Sequence, residues 1–187
     1  MTDAPKLRKA RRITGNKLVF RDATEADAAF ILKLRTDAQK SRYLSTTPPS
    51  LEKQATWLRS YAQDDSQAYF IIEDRAGKPV GTVRLYDVRG RSFCWGSWIK
   101  DDGAPQGFGM ESALMLYRYA LDLGFDGAHF DVRIGNESVW GFHERMGAVR
   151  VRTVEPDHFY EITRADLEAA FVRYARYLPD GIEVEFL

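Results

Sequence analysis

Between residues 68 and 99 the chain carries three extended runs parted only by tight turns, and this stretch limits the fold more than any other. Residues 68–73 (AYFIIE) are short and dense in apolar side chains, 79–88 (PVGTVRLYDV) alternate, and 92–99 (SFCWGSWI) follow a turn at Gly90. Such runs are strand signatures, and the turns between them are short enough that successive strands must run antiparallel. An antiparallel meander followed by a strand-helix-strand unit implies a mixed sheet rather than a doubly wound parallel one. Helical spacing then covers 107–123, where Ala113, Leu116, Tyr117 and Ala120 share a face. A strand is predicted at 128–134 (AHFDVRI), a short helix at 138–146 stopped by Gly147, a hairpin at 148–154 and 158–162, and a helix from 164 to about 177. Ahead of the meander, 17–21 (KLVFR) reads as a strand. Thr24 caps a helix running to about 38, and Ser50 caps a second one marked by Ala55, Leu58 and Ala62. The order β-α-α-β-β-β-α-β-α-β-β-α describes a mixed α/β (α+β) chain with about seven strands.

A length of 187 residues suits one domain. We expect residues 1–16 to be a basic tail, since Lys6, Arg8, Lys9, Arg11 and Arg12 face only Asp3 there, and 17–187 to be a single domain. With 27 Lys+Arg against 27 Asp+Glu the formal charge is zero, which argues against a dedicated nucleic-acid binder. A lone cysteine, Cys94, forms no internal disulfide and no cysteine-rich metal site, and no apolar run reaches the roughly 20 residues of a membrane span. The expectation is a cytoplasmic protein with non-metal chemistry, no nucleic-acid partner and no membrane.

The stretch 95–112 (WGSWIKDDGAPQGFGMES) ends a strand, crosses a Gly/Pro loop and opens a helix at Gly107 and Gly109. A helix start exposes unpaired N–H groups at the positive end of its dipole, which suits a phosphate, although a tight turn alone also accounts for the glycines. A Walker loop needs Gly-Lys-Ser/Thr, which is absent. A dinucleotide fold needs a glycine where Ser112 stands and no loop of seven residues before it. A coenzyme A diphosphate loop is the third reading.

At this stretch the chain resembles the GCN5-related N-acetyltransferase (GNAT) family, over about residues 17–163. Ala104-Pro105-Gln106-Gly107-Phe108-Gly109 matches the family's Gln/Arg-x-x-Gly-x-Gly/Ala motif except for Ala104 at its head. Residues 136–148 (NESVWGFHERMGA) match its Asn-bearing turn and fourth helix. The resemblance implies a strongly twisted, mostly antiparallel sheet with helices on both faces, and acetyl-CoA as co-substrate with no metal. It assigns the coenzyme to Trp98, Ile99, Gln106, Gly107, Phe108, Gly109, Met110 and Asn136. His143 replaces the family's usual tyrosine near the sulfur and shares a helical face with Val139, Phe142 and Met146. Its implied role is to protonate the departing thiolate, with a pH limb near neutrality, beside the plainer reading of a satisfied, half-buried histidine without chemistry. Cys94 stands where a strand glutamate is frequent, leaving Glu111 as a candidate base beside its plainer role of complementing the helix dipole.

Acceptor recognition falls to Arg35, Tyr43, Gln54 and Trp57 from the helical region and to Tyr86, Trp95 and Ser97 from the strands. Aromatic rings beside hydroxyl and amide groups suit a sugar. The narrower likeness is to amino-sugar acetyltransferases of surface-polysaccharide synthesis, with a nucleotide-linked amino sugar as acceptor. Two other readings stay open: a protein N-terminal acetyltransferase of the ribosomal type, and a non-catalytic acyl-CoA-binding module. The implied partner is a small-molecule amine, and a homodimer is an open possibility.

Overall fold

The computed structural model describes residues 3–187. Its strands are β1 (Ala10–Thr14), β2 (Leu18–Asp22), β3 (Ala68–Asp74), β4 (Pro79–Arg89), β5 (Ser92–Lys100), β6 (Gly127–Arg133), β7 (Val149–Val154), β8 (Asp157–Thr163) and β9 (Glu183–Phe186). The helices are α1 (Ala28–Thr36), α2 (Leu51–Ala62), α3 (Phe108–Asp122), α4 (Glu137–Met146) and α5 (Arg164–Arg173). Strand order is β7-β8-β6-β5-β4-β3-β2-β1-β9 in one open, twisted sheet, antiparallel at every pairing except the parallel β5–β6.

The dense run of β3 is apolar throughout because it lies in mid-sheet with both faces covered. Tyr69 and Ile71 turn to a small cluster with Ile31, Leu58 and Tyr61 beneath α1 and α2. Phe70 and Ile72 turn to the main core, with Leu116 and Ala120 of α3 and Leu167 of α5. Helices therefore cover both faces, as the family resemblance implies. Tyr61 fastens α2 to the sheet: its hydroxyl donates to Asp22 Oδ1 at 2.6 Å and accepts from the Tyr69 amide at 2.8 Å. Ser50 caps α2 by accepting from the Lys53 amide at 3.2 Å.

Two strands exceed the seven expected. β1 lies inside the predicted basic tail, which is corrected here: Leu7, Ala10 and Ile13 are buried, and β1 pairs with β2 and β9. Its arginines point outward between these apolar contacts, and an irregular register between Ala10 and Arg12 breaks the alternation that reveals a strand. The helix expected to reach about 177 ends at Arg173 and continues as a single 3-10 turn, Ala175–Tyr177. No helix among the described residues is long and apolar enough to cross a membrane.

Candidate active site

The sheet opens at its one parallel pairing. β5 and β6 are joined only at Ser92↔Gly127 and Phe93↔Ala128; beyond these, β6 continues to pair with β8 alone. From Cys94 onward β5 thus has no strand on that side, which leaves a gap shaped for an extended chain.

A bulge in β5 decides what faces the gap. Thr82 pairs with Ile99 and Arg84 with Gly96, so two residues of β5, Ser97 and Trp98, lie opposite Val83 alone. Ser97 takes φ +48°, a conformation most side chains avoid, and its carbonyl is held by the Thr82 hydroxyl at 2.7 Å. The extra residue puts Trp95 and Trp98 on the same face, 5.1 Å apart between ring centroids. Trp98 donates to Ser112 Oγ at 3.0 Å and Trp95 to Tyr117 Oη at 3.0 Å. Trp95 is 5% exposed with its N–H engaged, so of the two readings open to it, core aromatic and sugar-stacking plate, it takes the first and forms the inner wall of the gap.

At the mouth, α3 starts after Gly107, whose φ of +85° only glycine adopts without strain. Gly109 lies against the Trp98 indole, and Tyr177 packs across Gly107. Phe108 and Met110 turn their side chains to the core, leaving only backbone for a ligand, whereas Gln106 is exposed. Ile99 is buried where Gly81 of β4 closely approaches its carbonyl. Asn136 sits at the N-cap of α4, but its side chain makes no capping bond and lines the gap.

Glu111 serves the backbone. Its Oε1 accepts the amides of Asn16, Lys17 and Leu18 at 2.7, 2.6 and 3.0 Å, tying the β1–β2 turn to α3. The residue is 2% exposed and lines neither hollow of the cleft, so the candidate base role is withdrawn. Burial raises its pKa against the pull of those three amides.

All seven acceptor candidates line one cleft. A hollow of about 350 Å³ beneath the α1–α2 loop holds Gln54 and Trp57. A second of about 270 Å³ at the gap holds Tyr43, Tyr86 and Trp95, with Trp98, Asn136 and His143. Arg35 and Ser97 line both. Sequence reasoning missed Tyr69, Arg84 and Asp131. Among the described residues three buried side-chain polar atoms lack a partner, Tyr69 Oη, Arg84 Nε and His143 Nδ1, and all three residues line this cleft. Buried polar groups are nearly always paired, so their clustering marks a ligand site. A gap beside an unpaired strand, a helix start behind a left-handed glycine and unpaired polar atoms together fit an extended coenzyme with a diphosphate.

A family model described as an acetyltransferase (GNAT) domain matches residues 17–149. The chain belongs to the GNAT family. Among solved structures, apo FdhC, described as a nucleotide-linked sugar GNAT, is 34% identical over 89% of this chain and 98% of that one, with a TM-score of 0.82. A GCN5-related N-acetyltransferase from Brucella melitensis matches at 17% identity over 96% and 91% of the two chains (TM-score 0.73). A dodecameric spermidine N-acetyltransferase from Vibrio cholerae matches at 17% over 80% and 95% (TM-score 0.67). These last two share the fold. No curated protein matches the sequence.

As a GNAT chain it is an acetyl-CoA-dependent N-acetyltransferase, but His143 departs from the role expected of it. The ring is 4% exposed, packed 4.2 Å from Phe130 and edge-on to Trp95, and burial pushes its pKa down to about 3. The imidazolium that would protonate a thiolate is therefore not formed near neutral pH, and no neutral limb arises from it. Cys94 is equally passive, its thiol pushed up to about 11 by burial.

The neutral ring has a cost in acid. Below about pH 6.5 the unfolded chain protonates His143 while the folded chain refuses the proton, so stability falls progressively toward pH 3. Between pH 7 and 4.5 this one group should remove about 2–3 kcal/mol. Urea unfolding at both pH values should show His143→Phe losing less stability than wild type over that interval. Equal losses would mean the ring titrates normally in the fold.

Proposed function

We propose that this chain moves the acetyl group of acetyl-CoA to the primary amine of a nucleotide-linked amino sugar. The observation that carries the reading is the continuity of the cleft. The recess with Trp57 and Gln54 runs through Arg35, Arg84 and Ser97 into the gap where β5 and β6 part. An acceptor held under the α1–α2 loop thus reaches the unpaired edge of β5 from the side opposite α3. The likeness to FdhC over nearly the whole chain supports the same acceptor class.

The residues divide the work by position. Backbone amides at Gly109 and Met110, in the first turn of α3, suit the coenzyme diphosphate, and the Asn136 amide suits the arm that follows it. The coenzyme supplies an acyl group activated as a thioester. Asp131 of β6 lines the gap and has no ion-pair partner among the described residues, because Arg133 reaches Asp157 instead, at 3.3 Å. Desolvation, then the charge of Asp157, raises the Asp131 pKa although water still reaches it. It is suited to hold the acceptor as an ammonium ion and to take the proton that frees the nitrogen lone pair.

The test is thiol release from acetyl-CoA with a panel of a nucleotide-linked amino hexose, spermidine and an N-terminal peptide. The sugar nucleotide should give the highest kcat/KM. Preference for the polyamine or the peptide rejects the acceptor, and binding of acetyl-CoA without turnover of any member would favour a non-catalytic module. Saturating acetyl-CoA alone should raise the thermal midpoint, since it binds only the folded chain.

A further inference from the structure

The recess beneath the α1–α2 loop is lopsided in charge. Arg35, Lys53 and Arg84 line it, and no carboxylate does. Among the described residues none of the three forms an ion pair, although most neighbouring charges do, as in Arg21–Asp27, Lys33–Asp101 and Arg59–Glu25. Arg35 donates to hydroxyls, to Thr47 Oγ1 at 2.6 Å, Ser97 Oγ at 3.2 Å and Ser45 Oγ at 3.0 Å. Those bonds orient the guanidinium without neutralising it. Arg84 lies 4.2 Å from the Tyr86 ring centroid and donates from Nη1 to Gln67 Oε1 at 3.3 Å, while its Nε is buried without a partner.

Tyr69 supplies the second observation. It is 3% exposed, its hydroxyl makes no hydrogen bond of normal length and angle, and it lines the recess together with Arg35 and Arg84. A buried hydroxyl and a buried guanidinium N–H, both unpaired beside uncompensated positive charge, call for a ligand with several acceptor oxygens. A neutral sugar ring answers the hydrogen bonds but not the charge. At the far end of the cleft Asp131 is the carboxylate without an ion-pair partner among the described residues, since Asp157 is met by Arg133.

Resting on the sugar-acceptor reading, we infer that the recess is an anion subsite for the diphosphate of the acceptor, held by Arg35, Arg84 and Lys53 with the Tyr69 hydroxyl donating to it. The cleft then orients its substrate by charge: diphosphate under the α1–α2 loop, ammonium at Asp131. It also selects against polyamines, whose second ammonium would enter a recess of three cations.

Calorimetry on the full chain saturated with CoA tests the assignment, with UDP, dTDP, uridine, inorganic phosphate and a hexuronate as probes. A nucleoside diphosphate should bind at least tenfold more tightly than uridine or inorganic phosphate. Arg84→Gln and, independently, Lys53→Gln at an exposed position should each weaken it by about tenfold, with acetyl-CoA binding unchanged. Unaltered diphosphate affinity in Arg84→Gln and Lys53→Gln would place the anion elsewhere and overturn the subsite. Phosphate binding as tightly as UDP would reduce it to a site for a small free oxyanion, and hexuronate binding where UDP fails would move the charge onto the sugar ring; both reject the diphosphate. Failure of the subsite is distinct from failure of the acetyltransferase reading: a free amino sugar turned over as efficiently as its nucleotide-linked form rejects the first and leaves the second standing.

Discussion

Asp131→Asn should lower kcat/KM for the amine by roughly 100- to 1000-fold, the usual worth of a positioned base. An alkyl-type amine is mostly ammonium at neutral pH and must lose a proton before it attacks. Asp131 is the carboxylate of the gap that no arginine neutralises. Asparagine keeps the shape and one acceptor oxygen but takes no proton. The pH profile separates this role from packing. Because the pKa of Asp131 is raised in the fold, wild-type activity should fall as the pH drops through that raised value, and the limb should vanish in the variant. The same sign works on stability, since an ionised group with a raised pKa opposes folding. Asp131→Asn should therefore be at least as stable as wild type at pH 8. An unchanged acid limb, or a kcat equal to wild type, would remove Asp131 from the reaction.

Glu111→Ala should cost about 3–5 kcal/mol of stability by urea unfolding, as much as truncating a core aromatic. One carboxylate oxygen satisfies three consecutive amides, and no other side chain takes its place. Glu111→Gln retains an oxygen where those amides point and should lose only about 1–2 kcal/mol. Its kcat should stay within a few-fold of wild type, because the carboxylate meets the β1–β2 turn and not the acceptor. Abolished turnover in a stably folded Glu111→Gln would restore the catalytic role withdrawn above.

What the sequence disclosed and what it concealed follow from the range of the interactions. Alternation in 68–99 and the glycines at 107 and 109 are local signals, and the meander and the α3 start both appear where they imply. The acceptor candidates from the first two helices and the central strands also meet in one cleft, because the meander and the α1–α2 loop pack together. Strand β9 stayed hidden because its one partner, β1, lies more than 160 residues away, and β1 because its outward residues are charged and its register is irregular. The neutrality of His143 was equally out of reach: its helical face is legible, but the surrounding Trp95, Trp98 and Phe130 come from other strands. Asp131 and Arg133 share one face of β6, but the β6–β8 register sets Arg133 against Asp157, a partner the local sequence does not disclose. Nothing in the alternating run 79–88 distinguishes Arg84; it becomes part of a site only where α2 and the loop before it pack over the sheet.

The unpaired turn of backbone at Ser97 acts as a spacer one residue long. Deleting it would remove this slip of β5 against Val83, swing the Trp98 indole out from under α4 and strip Arg35 of one of its three hydroxyl anchors. The deleted chain would keep its sheet and forfeit its cavity, so the difference between a catalyst and an inert scaffold here is a single insertion in one strand.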